Sequence, residues 1–169
     1  MPTLELNLPP PFEEAMKSLQ SEIMRFILRS TRDREDSLDL FQETWLRAYR
    51  AYPTLRSPGG LRPWVFSIAA NLCRNRVRDR MRRARVIVSD GRDAELEAER
   101  FLPHAQSSPD GVIGIRRALA ALPGKQGKAL MMRKFGGMEY AEIATALKCS
   151  PQSARASVYQ ALKKLKASQ

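Results

Sequence analysis

The chain has 169 residues, a formal net charge of +11 and 43% hydrophobic residues. Such a length suits one domain or two small ones, and the hydrophobic content supports a modest core, which excludes a wholly disordered chain. No apolar stretch is long enough to cross a membrane or to act as a signal peptide, so we expect a cytoplasmic protein with no membrane insertion.

Residues able to bind metal are scarce. Cys73 and Cys149 are isolated and His104 is the single histidine, which is too few for the ligand set of a zinc site. A structural disulfide is not expected in a reducing compartment. We therefore predict no metal, no cofactor and no catalytic residue, and we interpret both cysteines as small, partly buried side chains.

The charge is unevenly distributed along the chain. Residues 1–43 have a net charge of −4 and residues 44–85 one of +10, whereas residues 86–115 return to −4 and residues 116–169 carry +9. Phosphate neutralises such concentrations of positive charge. Two basic blocks separated by an acidic one therefore predict two units that contact nucleic acid, joined by a linker.

The first predicted elements are an arm and two helices. Residues 1–11 are rich in proline and are expected to be extended or disordered. Apolar residues recur at helical spacing from Phe12 to about Ser30 and again over Asp33–Tyr52. The N-terminal half of the second helix holds more acidic residues than its dipole and capping need. This acidic side is either a solvated face or a binding patch, and its members are Asp36, Asp39, Gln42 and Glu43.

A loop is predicted over Pro53–Pro63, because Pro58-Gly59-Gly60 interrupts regular structure. The loop carries Arg56 and Arg62. It is either a plain connector or a loop that holds a base or a phosphate beside the next helix.

That helix, Leu61–Arg85, is the most informative stretch. At 100° per residue, one face is apolar, and the opposite face carries Ser67, Asn71, Arg74, Arg78 and Arg82. Beyond Cys73 the apolar face ends, and seven arginines are opposed by the single acid Asp79. We predict that this half is not buried and binds nucleic-acid phosphate. A solvated basic segment, or a site for acidic lipid or protein, is the alternative.

Residues 86–112 are predicted to be an acidic, flexible linker, and residues 113–169 a second unit. Its helices are expected to end before Pro123, to span Lys125–Phe135 and Glu139–Leu147, and to restart at Pro151 after a tight turn. Ser150 is a suitable N-cap and Pro151 suits the first helical position.

The last two helices form a helix-turn-helix pattern. On the second of them, polar side chains near the helix start are placed to read base edges, and later lysines to bind phosphates. A generic helical hairpin is the alternative. The residues expected to face outward are Gln152, Ser153, Arg155, Ala156, Ser157, Tyr159 and Lys163.

Three motifs in this order resemble the extracytoplasmic-function sigma factors, small bacterial members of the sigma-70 family. Asp39-Leu40-Phe41-Gln42-Glu43-Thr44 resembles the family's helix for binding core polymerase. Trp64-Val65-Phe66-Ser67-Ile68-Ala69-Ala70-Asn71 is similar to the helix that recognises and opens the −10 element. Tyr140-Ala141-Glu142-Ile143-Ala144, with Ser150-Pro151, resembles the −35 reader, and the whole resemblance covers about Phe12–Lys166.

The resemblance implies an all-α fold of two small helical domains joined by a flexible linker. Region 2 would span residues 12–85, and the region 4 helix-turn-helix domain residues 113–169. The implied function is that of an alternative sigma factor, which directs core RNA polymerase to promoters and promotes DNA melting without covalent chemistry. An anti-sigma factor that clamps both domains is the other implied partner. The resemblance also favours the binding patch over the solvated face.

It further implies three sets of binding residues. Those for core polymerase are Asp36, Asp39, Gln42, Glu43 and Arg47. Those for the −10 element are Arg56, Arg62, Trp64, Ser67, Asn71, Arg74, Asn75, Arg78 and Arg82. Those for the −35 element are Ser150, Gln152, Ser153, Arg155, Ala156, Ser157, Tyr159 and Lys163.

The sequence departs from the family's usual pattern at several positions. Ala70 stands where Arg is usual, and Asn75 where Asp is common. Lys148 stands where Gly is common, and a positive φ there would cost about 1 kcal/mol. Ala154 replaces a β-branched residue and Ser157 a basic one. These departures predict an unusual promoter preference.

Two other functions are compatible with parts of the sequence. A sigma-like decoy or adaptor would bind a regulator or polymerase without productive promoter recognition, but it would have no need for the arginine-rich helix. A nucleic-acid enzyme would need clustered acids or a metal site, and the acids of this sequence lie on one helix.

Overall fold

The structure is a computed structural model that describes residues 9–89 and 118–167, with backbone alone at residue 58 and at residues 84–89. The predicted arm lies outside the described residues except for residues 9–11. The predicted linker, 86–112, also lies outside them, except that residues 86–89 continue a helix. Every helix or turn described below belongs to these two ranges.

Three helices form the first unit: α1 (Phe12–Thr31), α2 (Arg34–Ala51) and α3 (Leu61–Ser89). α1 ends at Arg32, which adopts the left-handed conformation (φ 54°) and donates its N–H to the carbonyl of Leu28. Asp33 then caps α2, because its carboxylate accepts the N–H of Asp36 at 2.8 Å. That hydrogen bond lowers the pKa of Asp33. The predicted bounds of α1 and α2 are thus confirmed within one residue, and α3 begins at the predicted Leu61 but ends at Ser89, beyond the predicted Arg85.

The core of the first unit is the apolar stripe that helical spacing predicts. Phe26 of α1 meets Phe66 of α3 edge to face, with ring centroids 5.2 Å apart, and both side chains are fully buried. Burying a side chain of this size contributes roughly 1.5–3 kcal/mol. Cys73 is also fully buried, and burial raises the pKa of its thiol to about 12.

The connection between α2 and α3 is shorter than predicted. Residues Tyr52–Thr54 and Pro58–Gly60 form single 3₁₀ turns, and α3 already begins at Leu61. Pro63 is tolerated there because the first turn of a helix has no intrahelical acceptor for its N–H groups. Arg62 therefore lies on the first turn of α3, which confirms the predicted start of that helix at Leu61 and corrects the overlapping loop prediction for that residue.

The second unit contains α4 (Gly124–Phe135), α5 (Tyr140–Leu147) and α6 (Pro151–Ala167), preceded by the helical residues 118–121. Glu139 and Glu142 form a reciprocal capping box at the start of α5. Lys148 ends α5 with φ 52°, so the lysine does adopt the positive φ whose cost the sequence raised at this position. Ser150 accepts the N–H of Ser153 at 3.1 Å, which confirms it as the N-cap of α6.

The two units pack against each other. α3 contacts α4 and α5, and α1 contacts α4, so that the buried apolar residues of both units form one continuous cluster. Within the described ranges, no helix is both long and apolar enough to cross a membrane.

Candidate nucleic-acid interface

The first candidate surface is the outer face of α6. Gln152, Arg155, Ala156, Tyr159 and Lys163 are all exposed there, as predicted, and the ring of Tyr159 is 69% accessible. The first four of these residues line a shallow hollow together with Tyr140 and Pro151. The hollow lies beside the first turns of α6, the second helix of the helix-turn-helix.

The ring of Tyr140 contacts two arginine side chains at this surface. Its ring lies between two guanidinium groups, with the Cζ of Arg133 4.8 Å and that of Arg155 5.1 Å from the ring centroid. A cation over an aromatic face is stabilised by about 0.5–1 kcal/mol at an exposed site. Arg133 was not among the predicted residues, because helical spacing does not show which rings and guanidinium groups meet across helices.

Three serines of the predicted −35 set are engaged within the chain. Ser157 is only 8% accessible and donates to the carbonyl of Ser153 at 2.8 Å. The hydroxyl of Ser153 accepts from Lys125 at 3.1 Å, and that of Ser150 serves as the N-cap. The prediction that Ser157 faces outward is wrong, because at 100° per residue it falls beside the buried Ala154 and Ala161.

The second candidate surface is a row along α3. Asn71, Asn75, Arg78 and Arg82 are exposed and recur at helical spacing, so they share one side. Arg82 is 72% accessible and pairs with Asp79 at 3.8 Å. The predicted Arg56 is exposed as well. These five residues are thus exposed, as predicted.

Arg74 does not belong to that exposed row, which corrects the prediction. It is only 9% accessible, and its guanidinium donates to the carbonyl of Leu122 at 2.5 Å and to that of Leu119 at 3.5 Å. Burial, and next the charge of Arg78, lower the pKa of Arg74. The second unit covers this part of α3, a contact that the helical period of α3 alone could not predict.

The remaining members of the −10 set are partly enclosed. Arg62 donates to Glu22 of α1 at 2.9 Å and also binds Glu142 of α5. Burial by itself lowers the pKa of Arg62. The hydrogen bonds to the two carboxylates raise the pKa by more, so the pKa of Arg62 is raised. Trp64 packs near Tyr52, and Ser67 donates to the Trp64 carbonyl at 2.7 Å. Trp64 and Ser67 are half-buried.

Two arginines on the other side of α3 form ion pairs with acidic residues at the start of α2. Arg76 binds Asp36, and Arg80 binds both Asp36 and Asp33, the latter at 3.2 Å. Half-buried side chains thus join the start of α2 to the second half of α3. The prediction that this half of α3 stays unburied is therefore wrong in part, and Asp36 is not an exposed member of the acidic patch.

The rest of that patch is accessible. Asp39 and Gln42 are exposed on α2, and Glu43 pairs with Arg47 at 2.6 Å. Three apolar side chains, Leu38, Leu46 and Tyr49, are also exposed on this helix, and Tyr49 is 62% accessible. The outer side of α2 therefore combines acidic and apolar groups.

Two family models match the chain. "Sigma-70 region 2" matches residues 15–83, and "Sigma-70, region 4" matches residues 114–165. They correspond to the first and second units, and together they cover more than half of the sequence.

Curated proteins match over most of their length. The RNA polymerase sigma-H factor of Pseudomonas aeruginosa is 27% identical over 157 residues, which is 89% of this chain and 81% of that protein. The ECF RNA polymerase sigma-E factor of Escherichia coli K12 is 28% identical over 137 residues, or 75% of this chain and 70% of that protein.

A solved structure shares the fold. It is the sigma factor RpoE in complex with the anti-sigma factor NepR from Bartonella quintana, with a TM-score of 0.56 and 20% identity. The match covers 93% of this chain and 95% of that chain. With both family models on the two helical units and sigma factors along nearly the whole chain, the protein belongs to the sigma-70 family and is a sigma factor of the extracytoplasmic-function type.

Proposed function

We propose that this sigma factor directs core RNA polymerase to specific promoters, reads the −35 element with α6, captures the −10 element with α3 and thereby promotes DNA melting. The observation that carries the proposal is the pair of exposed rows on these two helices. Both rows are basic and polar, and each lies in a different family region.

The α6 row suits duplex DNA. Its N-terminal part offers Gln152 and Arg155, and Lys163 follows further along the helix. An amide and a guanidinium hydrogen-bond base edges in the major groove, whereas a lysine contacts phosphate. The guanidinium of Arg155 packs on the Tyr140 ring, and this contact limits the conformations of the arginine side chain. A restricted side chain favours a hydrogen bond to a base edge over a mobile contact with phosphate.

The α3 row suits single-stranded DNA. Asn71 and Asn75 can hydrogen-bond the edges of unpaired bases, and Arg78 and Arg82 can bind the backbone between them. Extruding a base costs a few kcal/mol, which such contacts offset. The half-buried Trp64 and the exposed Arg56 stand near the beginning of the same helix and extend this surface in the proposal.

The outer side of α2 is the proposed docking site for core polymerase. Asp39, Gln42, Glu43 and Arg47 supply polar contacts, and Leu46 and Tyr49 add apolar area beside them. Apolar groups rimmed by polar ones are typical of a protein interface. The RNA polymerase sigma factors among the relatives support this partner, and the complex with NepR supports an anti-sigma factor as a further partner.

The proposal is tested by separating the two DNA contacts in reconstituted holoenzyme. Arg155→Ala should weaken binding to a duplex with the −35 element by about 1–3 kcal/mol if Arg155 contacts a guanine with both nitrogens. Asn71→Ala with Arg78→Ala should leave duplex binding intact but reduce permanganate reactivity of −10 thymines. Arg50→Ala removes one exposed charge from α2 and serves as the control.

Two results would contradict the proposal. Loss of melting in Arg155→Ala on a promoter that it still occupies would mean that the two rows are assigned to the wrong elements. A wild-type chain that binds core polymerase but neither occupies nor melts any promoter would favour the decoy function instead.

A further inference from the structure

The second half of α3 is held in a different way from the first half. Among the described residues, the buried apolar cluster reaches along α3 only as far as Cys73. From Asn75 to Arg83, the last residue of α3 whose side chain is described, every side chain is half-buried or exposed. Apolar packing therefore contributes less to the placement of this half, and its ion pairs contribute more.

Two carboxylates at the start of α2 supply these ion pairs. Asp36 pairs with Arg76 and with Arg80, and Asp33 pairs with Arg80 at 3.2 Å. The side chain of Asp36 is only 14% accessible and that of Arg80 only 19%, so solvent screens these charges less than it screens a surface pair. Because Arg76 and Arg80 lie one helical turn apart, the pairs restrict the rotation of α3 about its axis. These contacts are called the α2–α3 ion pairs.

The start of α2 is a rigid support for the two carboxylates. The carboxylate of Asp33 accepts the N–H of Asp36 at 2.8 Å, which ties one acid to the backbone of the other. The hydroxyl groups of Thr31 and Ser37 are hydrogen-bonded at 2.7 Å on either side of this cap, and both side chains are buried. The α2–α3 ion pairs therefore hold α3 against a backbone that local hydrogen bonds already fix.

The exposed row of α3 lies on the side of the helix away from these ion pairs. At 100° per residue, Arg76 lies about 100° from Asn75, and Arg80 lies about 200° from Arg78. The two arginines therefore do not occupy the face that is proposed to bind DNA, but their pairing determines where that face points. The members of the row are Asn71, Asn75, Arg78 and Arg82.

We propose that Asp33 and Asp36 are positioning residues for capture of the −10 element: through Arg76 and Arg80 they hold the exposed row of α3 in the orientation that binds single-stranded DNA. This inference rests on the proposed function. It also gives Asp36 a different role from the one that the resemblance implied, because Asp36 serves α3 and not the docking of core polymerase. Asp39, which is exposed on the outer side of α2, remains a docking residue.

The sign of the charge effect separates positioning from general electrostatics. Removing an acid makes the protein more positive, and this change alone strengthens binding to DNA phosphate. A loss of orientation has the opposite effect, because the apparent affinity falls with the fraction of molecules in which the row is correctly placed. A variant that gains positive charge and yet binds DNA more weakly therefore indicates a lost positioning contact.

Three substitutions in one turn of the chain test the proposal. Asp36→Asn removes the carboxylate that faces Arg76 and Arg80. Asp33→Asn removes the charge that faces Arg80, while asparagine is as good an N-cap as aspartate. Glu35→Gln is the matched control, because Glu35 is exposed in the same turn and its loss changes the net charge equally.

Two further variants separate positioning from stability. Ile27→Val removes one methylene group from a fully buried side chain of α1, which lowers stability without changing a charge or an ion pair. Asp36→Glu keeps a carboxylate at the position and should retain most of the wild-type binding. Circular dichroism is used to verify folding, and Asp33→Asn carries the test if Asp36→Asn does not fold.

The measurement is fluorescence anisotropy with holoenzyme reconstituted from core polymerase and the full-length chain. The probe is a labelled single strand that wild-type holoenzyme selects from a pool of random sequences. Asp36→Asn should lower the affinity for this strand roughly three- to tenfold, and Asp33→Asn should lower it less. Glu35→Gln and Ile27→Val should bind at least about as well as the wild type.

The salt dependence and the affinity for core polymerase are measured on the same variants. Asp36→Asn should flatten the slope of log affinity against log salt concentration, because fewer phosphates are bound, whereas a loss of stability alone leaves this slope unchanged. Asp36→Asn should bind core polymerase like the wild type, and Asp39→Asn should bind it more weakly.

Three results would overturn the positioning role alone. Tighter DNA binding by Asp36→Asn would mean that the acids withhold Arg76 and Arg80 from DNA. Weaker core binding by Asp36→Asn, equal to that of Asp39→Asn, would make Asp36 a docking residue. Equal DNA affinities of Asp36→Asn and its two controls would remove any special role of the α2–α3 ion pairs. Wild-type holoenzyme that selects no strand would instead contradict the proposed promoter function itself.

Discussion

Lys148 carries a backbone conformation that favours glycine, with φ 52° at the turn between α5 and α6. A Cβ in the left-handed region costs about 1–2 kcal/mol, while glycine loses more chain entropy on folding. Lys148→Gly should therefore raise the free energy of unfolding by about 0.5–1 kcal/mol, measured by urea denaturation. Lys148→Ala keeps the Cβ and should give no gain. An equal gain in both variants would mean that the lysine side chain, and not the Cβ, causes the strain.

For single residues, the local backbone conformation and helix caps were predictable from the sequence, and long-range contacts were not. The positive φ at Lys148 and the cap at Ser150 follow from a few neighbouring residues, and both are confirmed. Arg74 was placed on an exposed face from its angle on an isolated helix, and Ser157 was predicted to face outward although its angle lies beside the buried Ala154 and Ala161. Arg74 is buried by a unit that lies more than 40 residues away in sequence, and Ser157 by close packing within the helix-turn-helix.

The α2 and α3 helices are joined by ion pairs as well as by the core. Asp36 is half-buried and forms ion pairs with both Arg76 and Arg80, so removing its charge leaves two arginines without this partner. Asp36→Asn should lower the free energy of unfolding by about 1–3 kcal/mol, because losing one partner of an enclosed pair leaves uncompensated charge. The measurement is urea denaturation at neutral pH.

The matched control on the same helix is Glu43→Gln. Glu43 pairs with Arg47 on the surface, where solvent screens the charge, so the expected change stays within about 0.5 kcal/mol. Equal effects of the two substitutions would show that enclosure of the α2–α3 pairs adds nothing to stability.

Asp33 adds a pH dependence to the same helix. Its pKa is lowered, chiefly by the N–H of Asp36 that it caps and further by Arg80. A carboxylate with a lowered folded pKa contributes stability that is complete above the unfolded value of 3.8 and is lost as pH falls through the folded value. The cap of α2 therefore weakens only in strong acid.

Element boundaries were predicted well because periodicity, caps and breakers are local signals. Apart from the end of α3, which lies at Ser89 and not at the predicted Arg85, the helices of both units lie within one or two residues of the expected bounds. The ion-pair partners of the arginines on α3 were not predictable from these local signals. Their acids on α2 lie about 40 residues earlier in the sequence, and only the crossing of the two helices brings them together.

The two described units are held together by a buried apolar cluster that runs through both of them. Sequence reasoning divided the chain into two units, and the two family models match that division. It did not predict that the units pack together, because arginines and glycines at an interface leave no hydrophobic period. The contact between the units instead includes two glycines, Gly127 beside the Arg74 guanidinium and Gly136 beside the Phe66 ring.

Gly136 provides a test of this coupling in the full-length chain. A Cβ at Gly136 would lie 2.8 Å from the Met132 carbonyl and 3.0 Å from the Phe66 ring. Met132 belongs to α4 itself, so the first contact strains the end of that helix, whereas the contact with the fully buried Phe66 ring should force the end of α4 away from α3. Scanning calorimetry of the wild type should show one cooperative transition, with equal calorimetric and van't Hoff enthalpies.

Gly136→Ala should separate that transition into two, because each unit keeps its own helices but loses the shared packing. Gly124→Ala, whose Cβ meets only an ordinary contact in the same helix, should retain the single transition. Two well-separated transitions in the wild type would mean that the units touch without stabilising each other. In that event the shared cluster would be a contact without energetic coupling, and only the ionic and carbonyl links of Arg62 and Arg74 would hold the units closed.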